Sequence, residues 1–137
     1  MMKANKKAKY GQLNFEIEFF KNLIKDKDDF IEALFPLAEN YTRCGMYDQG
    51  LNIDLKLTTL RPHDPVVWYN LACSYALTKS YDLAIETLGK AVKLGYRDYE
   101  YMLRDKDLDN IKQDVRFKKI LNKIKGRKNK RVNAKVN

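Results

Sequence analysis

Shifted by 34 residues, the chain falls onto itself: "ALFPLAENYTRCGMYDQGLNIDLKLTTLRPHD" lies over "VWYNLACSYALTKSYDLAIETLGKAVKLGYRD". Eight positions coincide: Leu37/Leu71, Ala38/Ala72, Tyr41/Tyr75, Tyr47/Tyr81, Asp48/Asp82, Lys56/Lys90, Leu60/Leu94 and Asp64/Asp98. Others agree in kind, as at Leu34/Trp68, Phe35/Tyr69 and Leu51/Ile85. A period of this length leaves room for one supersecondary unit per copy, too thin to bury its own apolar face. Copies of such a unit must therefore stack.

The unit is a helical hairpin. Trp68, Leu71, Ala72 and Tyr75 recur at i, i+3, i+4 and i+7 and form the inner stripe of a first helix. Asp64 is placed to cap that helix, and Pro65 at its first position gives up no needed hydrogen bond. Ser80 is placed to cap a second helix, with Ala84, Ile85, Leu88, Ala91 and Val92 on its inner side and Gly95 ending it. The first copy repeats the plan, with Asp29 and Glu32 spaced as a capping box and Gly45 at the mid-turn. Pro36 removes one internal hydrogen bond from the first copy's first helix and predicts a kink there.

The spacing Trp68-x-x-Leu71-Ala72-x-x-Tyr75, followed by Tyr81, Ala84 and Ala91, resembles the tetratricopeptide repeat pattern. The first copy resembles it through Leu34, Leu37, Ala38, Tyr41, Gly45, Tyr47, Gly50 and Pro62. The likeness covers residues 31–98. It departs at Lys79, where a glycine is usual, at Asp54, where a large apolar residue is usual, and at Tyr96, where a proline is usual. The resemblance implies an all-α superhelix of stacked antiparallel hairpins, as in short bacterial members with a degenerate last repeat. The expected organisation is a flexible basic arm over 1–12, one domain over 13–125 and a disordered basic tail over 126–137. Within the domain, a capping helix over 13–27 buries Leu13, Ile17, Phe20, Leu23 and Ile24. Repeats follow over 31–64 and 65–98. A degenerate third copy over 99–125 has a short helix at 99–104 and a longer one with Val115, Phe117, Ile120, Leu121 and Ile124 on its apolar face.

The net charge of +9 is unevenly placed. Residues 1–12 carry four Lys and no acid, and residues 116–137 carry ten Lys or Arg and no acid, while the middle is mildly acidic. No apolar run approaches a membrane span. No apolar segment follows the basic start as it would in a signal peptide. Cys44 and Cys73 then read as reduced thiols in the cytoplasm.

Neither an enzyme nor a cofactor or metal site is expected. His63, the single histidine, has only Asp64 beside it in sequence, and Asp64 is the cap. The two cysteines stand in different hairpins without metal-ligand spacing. Asp105, Asp107 and Asp109 lack the glycine and terminal glutamate of a calcium loop and read as turn and cap residues. The resemblance implies instead that the first helix of each hairpin lines a concave groove that binds a peptide or amphipathic helix of another protein. The groove positions are then Glu32, Phe35, Glu39, Thr42 and Arg43 in the first copy and Val66, Tyr69, Asn70, Cys73 and Leu77 in the second, with Glu100 and Arg104 in the third. Some family members clamp a carboxylate there. The matching residues here are Phe35, Glu39, Asn70, Glu100 and Arg104, and the two glutamates would repel a carboxylate, so the expected ligand is neutral or basic. On this reading Tyr69 and Phe35 can be truncated with little effect on melting. The alternative is a nucleic-acid- or ribosome-associated protein that binds polyanions through Lys119, Lys123, Lys125, Arg127, Lys128, Lys130 and Arg131. Self-association of basic tail with acidic body is a further possibility left open.

Overall fold

The computed structural model describes the backbone of residues 2–136 and the side chains of residues 8–126. Among the described residues the protein is all-α: α1 Met2–Asp26, α2 Ile31–Arg43, α3 Tyr47–Leu60, α4 Pro65–Leu77, α5 Tyr81–Lys93, α6 Tyr99–Arg104, a 3-10 helix Lys106–Ile111, and α7 Val115–Val136. The period of the sequence reappears in the element bounds. α2 and α4 start and end one period apart, and so do the starts of α3 and α5. The third copy keeps the register, since α6 starts one period after α4 and α7 one period after α5. In that copy the first helix is broken into α6 and the 3-10 helix.

The chain divides into two compact units, Met1–Pro62 and His63–Asn137, within the span expected to form one domain. The boundary falls at the Pro-flanked connection between repeats, where a repeat architecture has fewest contacts to lose.

In the first unit, α2 packs on α3 and on α1. Leu13 and Ile17 of α1 are buried, and Phe20 and Ile24 pack with Leu37 and Tyr41 of α2. The buried Asn40 amide donates to Glu16 Oε2 at 3.0 Å and fixes α1 on α2 through a polar contact as well. Leu23, expected inside, faces outward at 37% exposure. One further expectation fails here. The capping box is not formed: Phe30 occupies the N-cap position and no side chain caps α2. The helix runs from Ile31 to Arg43 with Pro36 inside it. Because α2 starts at Ile31, Pro36 lies in its second turn. The carbonyl it leaves without an amide is that of Glu32, an exposed residue that water can reach.

The second unit has one contiguous core. It joins Ala72, Ala76, Ala84, Leu88 and Ala91 of the hairpin to Met102 of α6, Leu108 and Ile111 of the 3-10 helix, and Phe117, Leu121 and Ile124 of α7. Val115, expected on that face, is exposed. Leu71 and Ala72 are buried as their spacing requires, whereas Trp68 and Tyr75 are half-buried. The Lys90 ammonium lies 3.8 Å from the centre of the Trp68 ring, close enough for a cation–π contact that ties α5 to α4. Arg116 at the start of α7 bonds Asp82 of α5 and Asp114, both at 2.8 Å.

The turns show why the hairpins close as they do. Asp64 caps α4 by accepting from the Val66 amide at 2.9 Å. α2, α4 and α5 end in the same doubly bonded C-terminal turn: Met46 to Tyr41, Ser80 to Tyr75 and Tyr96 to Ala91, each amide donating to a carbonyl one turn and a half back. The turn needs a left-handed residue, supplied by Gly45 at φ 76° and Gly95 at φ 121°. In α4 the residue is Lys79 at φ 66°, at the position of Gly45 one period later, and it carries a strain of about 1 kcal/mol that glycine avoids.

Both ends are more regular than expected. The arm 1–12 continues α1, whose bounds reach back to Met2, and the tail 126–137 continues α7 as far as Val136. Lys, Arg, Ala and Gln are good helix formers, and neither end contains proline.

Candidate functional site

The positions expected to line a groove fall into two groups, one in each unit. On α2, Glu32, Glu39 and Arg43 are exposed and Phe35 is half-buried. Successive spacings of i+3, i+4 and i+4 set these four on one helical stripe. Thr42, beside them, is half-buried and donates to the Ala38 carbonyl at 3.2 Å.

On α4 the outcome differs. Val66 is exposed and Asn70 and Leu77 are half-buried, but Tyr69 and Cys73 are buried at 3% and 7% exposure. They do not look into an open groove. The 3-10 helix packs on α4, and Tyr96 from the end of α5 stacks on Tyr69 with ring centres 4.2 Å apart and planes within 2°. The Tyr101 ring also lies near, tilted by 54° with its centre 5.9 Å away. The chain's own C-terminal segment fills the space a ligand was expected to take. Glu100 and Arg104, the third-copy positions, are both exposed on α6.

Asp105 is the pivot. By the repeat register it stands where Leu37 and Leu71 supply the core stripe of the first two copies. A carboxylate cannot enter that apolar seat without partners. The helix stops at Arg104, and Asp105 takes an extended conformation with φ −69° and ψ 111°. Its Oδ1 accepts from the Asp107 amide at 3.0 Å and so caps the 3-10 helix. Its Oδ2 accepts from the Tyr69 hydroxyl at 2.6 Å and from the Cys73 thiol at 3.6 Å. Breaking the helix carries Leu108 and Ile111 into the core.

This environment holds protons on its donors. Burial, then the neighbouring Cys73 and Asp105, pushes the Tyr69 phenol far above its ordinary value. Burial, then Asp105 and Asp107, does the same to the Cys73 thiol. Tyr96 is raised by burial and by Asp98. Burial and the charges of Asp105 and Asp109 raise the Asp107 carboxyl. A reactive cysteine needs the opposite surroundings, partly exposed and electropositive. Cys73, Asp105 and Asp107 bring three potential ligand atoms within 4.8 Å of one another, a juxtaposition that sequence spacing did not reveal. Asp105 takes hydrogen bonds from Tyr69, Cys73 and the Asp107 amide, and through them the cluster joins α4 to the 3-10 helix as a polar clasp.

Of the expected polyanion-binding residues, Lys119, Lys123 and Lys125 are exposed on α7. Arg127, Lys128, Lys130 and Arg131 lie outside the residues whose side chains are described. Among the described residues no helix is long and apolar enough to cross a membrane.

No protein-family model matches the chain. Among curated proteins it is similar to a chloroplastic protein of Arabidopsis thaliana, with 23% identity over 126 residues. That likeness covers 88% of this chain, which spans only 38% of the length of the relative.

Proposed function

We propose that the chain is a non-catalytic adaptor of the tetratricopeptide type that docks a peptide or amphipathic helix of another protein, and that the docking face is α2 of the first hairpin. The observation that carries this reading is the contrast between equivalent helices. On α4 the inward-looking residues are covered by the chain's own clasp, whereas Glu32, Phe35, Glu39 and Arg43 on α2 form a stripe with three exposed charged residues around a half-buried aromatic. An aromatic anchor inside a charged rim suits a short helical or extended partner. Two glutamates against one arginine favour a neutral or basic one. The free thiols Cys44 and Cys73 support a reducing compartment such as the cytoplasm.

The test is affinity capture with the wild-type chain and with a Phe35→Ala, Glu39→Lys variant, at low and raised salt. Retained melting temperature and loss of a salt-sensitive protein partner is the expected result. A folded double variant that keeps its partners overturns the assignment to α2.

A second reading rests on α7, where Lys118, Lys119, Lys123 and Lys125 are exposed and no acid occurs from 116 onward. Such a surface attracts nucleic acid through its phosphates. Deleting 126–137 separates the two: the adaptor keeps its protein partner, and a polyanion binder loses most of its salt-dependent affinity.

A further inference from the structure

α7 changes character beyond the core it helps to build. Phe117, Leu121 and Ile124 are buried in the second unit. Carried on at the same helical spacing, that stripe passes through Lys128, Arg131 and Lys135. The stripe therefore turns from apolar to basic after Ile124, although the helix runs on to Val136. A row of cations has no place against an apolar core, so the second half of α7 is suited to a different neighbour.

The opposite line of the helix carries no charge over the same stretch. Asn122 and Gly126 are exposed there, and the spacing continues through Asn129 and Asn133. Basic residues border this line on both flanks. Lys119 and Lys123 are exposed on one flank, and the spacing adds Arg127 and Lys130 to it. Lys118 and Lys125 are exposed on the other. Val132 and Ala134 interrupt the flanks only near the end. Arg116 stands apart, bonded to Asp82 and Asp114, and no acid follows Asp114. Gly126 is the second clue. It lies inside a helix, where glycine is less favourable than alanine, and a Cβ added to it would meet nothing within 4 Å. No contact within the chain requires that glycine, whereas close approach of a ligand to the helix backbone would.

We propose that the second half of α7 lies in the major groove of duplex DNA, with Asn122, Asn129 and Asn133 toward the base edges and the two basic flanks toward the phosphates of the two strands. This rests on the polyanion reading of α7 and narrows it to one kind of duplex. A helix about 10–12 Å across with its side chains fits a B-DNA major groove about 12 Å wide. Asparagine can bond the N6 and N7 edge of adenine in a bidentate manner, and Gly126 lets the helix axis come close to the groove floor. The buried side of α7 is the one turned away from the groove, so the core of its own unit does not obstruct the approach. Other polyanions match less well. The major groove of A-form RNA is too deep and narrow for side chains to read. Single strands are held by stacking on exposed aromatics, and Phe117, the one aromatic residue of α7, is buried. A membrane surface calls for a broad apolar face, which the sequence lacks after Ile124.

Fluorescence anisotropy with the full chain and labelled probes of about 20 nucleotides per strand provides the test. Duplex DNA containing A·T pairs is expected to bind in the micromolar range near ~0.1 M salt, with a log–log salt slope of about −5. Duplex RNA and single-stranded DNA should bind at least ~10-fold more weakly. Lys123→Gln, Lys125→Gln should flatten the slope by about 2 on every sequence. Asn129→Ala should leave the slope unchanged and cost about 10-fold on duplexes with A·T pairs, removing their advantage over all-G·C ones. Gly126→Leu should raise helicity and hold or raise the melting temperature, since the site is open, yet weaken duplex DNA binding at least ~10-fold. A helix that binds by charge alone would be indifferent to that change. Equal affinity for duplex DNA, duplex RNA and single strands, or indifference to Gly126→Leu, overturns the proposal and leaves α7 a general polyanion binder. Absence of salt-dependent binding to all three overturns the polyanion reading together with it.

Discussion

Truncating Tyr69 to alanine is expected to destabilise the second unit by about 3–5 kcal/mol, the cost typical of emptying a large aromatic site in a packed core. The sequence had suggested the opposite, that a groove-lining tyrosine could be removed with little effect on melting. The ring is 3% exposed, stacked on Tyr96, and its hydroxyl is the short donor to Asp105. Removing it opens a cavity and takes one donor from a carboxylate set against the core. In a thermal melt followed by circular dichroism, the loss should appear as a fall of roughly 10 °C or more. Tyr69→Phe keeps the ring and removes only the hydrogen bond, so it should cost about 1–3 kcal/mol. Equal effects of the two variants would show that the ring contributes nothing, contrary to the packing described.

Alkali should weaken the fold steeply. Tyr69, Cys73 and Tyr96 all hold their protons more tightly in the folded chain, mainly through burial. A folded value raised above the unfolded one means that the stabilisation is complete below the unfolded value and drains as pH rises past it. For cysteine that point is about 8.5 and for tyrosine about 10. Beyond it the folded chain binds the extra proton, and stability falls by roughly 1.4 kcal/mol per pH unit for each group. Urea denaturation from pH 7 to 11 should therefore show a plateau, a first decline above about pH 8.5 from Cys73, and above about pH 10 a slope near 4 kcal/mol per unit from all three. Tyr69→Phe should remove about a third of the steep slope. A stability profile flat to pH 11 would place these groups in water.

The parts of this structure that could be read from the sequence are those fixed by local chemistry and period. Asp64 and Pro65 mark the start of α4 because cap and first-turn proline act within a single turn. Gly45 and Gly95 mark helix ends because the left-handed turn demands them, and Lys79 shows that the turn forms even where the residue resists it. The Asp29–Glu32 pair failed as a capping box because α2 begins with Phe30 at its cap. The character of α4's inner face was not legible from its own residues. Tyr69 and Cys73 owe their burial to partners far along the chain, Tyr96, Asp105 and Asp107. One sign was nonetheless present: Asp105 occupies the third-copy place of Leu71. An acidic residue on the core stripe of a repeat forecasts a broken helix, and the break is what turns the last copy back onto the second. On α1, Leu23 satisfied the helical spacing of a buried residue but sits at the edge of that face, next to the stripe with Phe19.

The account rests on the closure of α4 by the chain itself, and the Cys73 thiol reports on it directly. In a Cys44→Ser background, Cys73 is the sole thiol, and its reaction with Ellman's reagent near pH 8 can be followed in the native chain and in urea. Burial at 7% exposure and a thiol held protonated by its surroundings predict a native reaction at least ~100-fold slower than the unfolded one, limited by local opening of the 3-10 helix. A native rate close to that of the unfolded chain would mean that α4 faces an open groove, and would contradict the clasp.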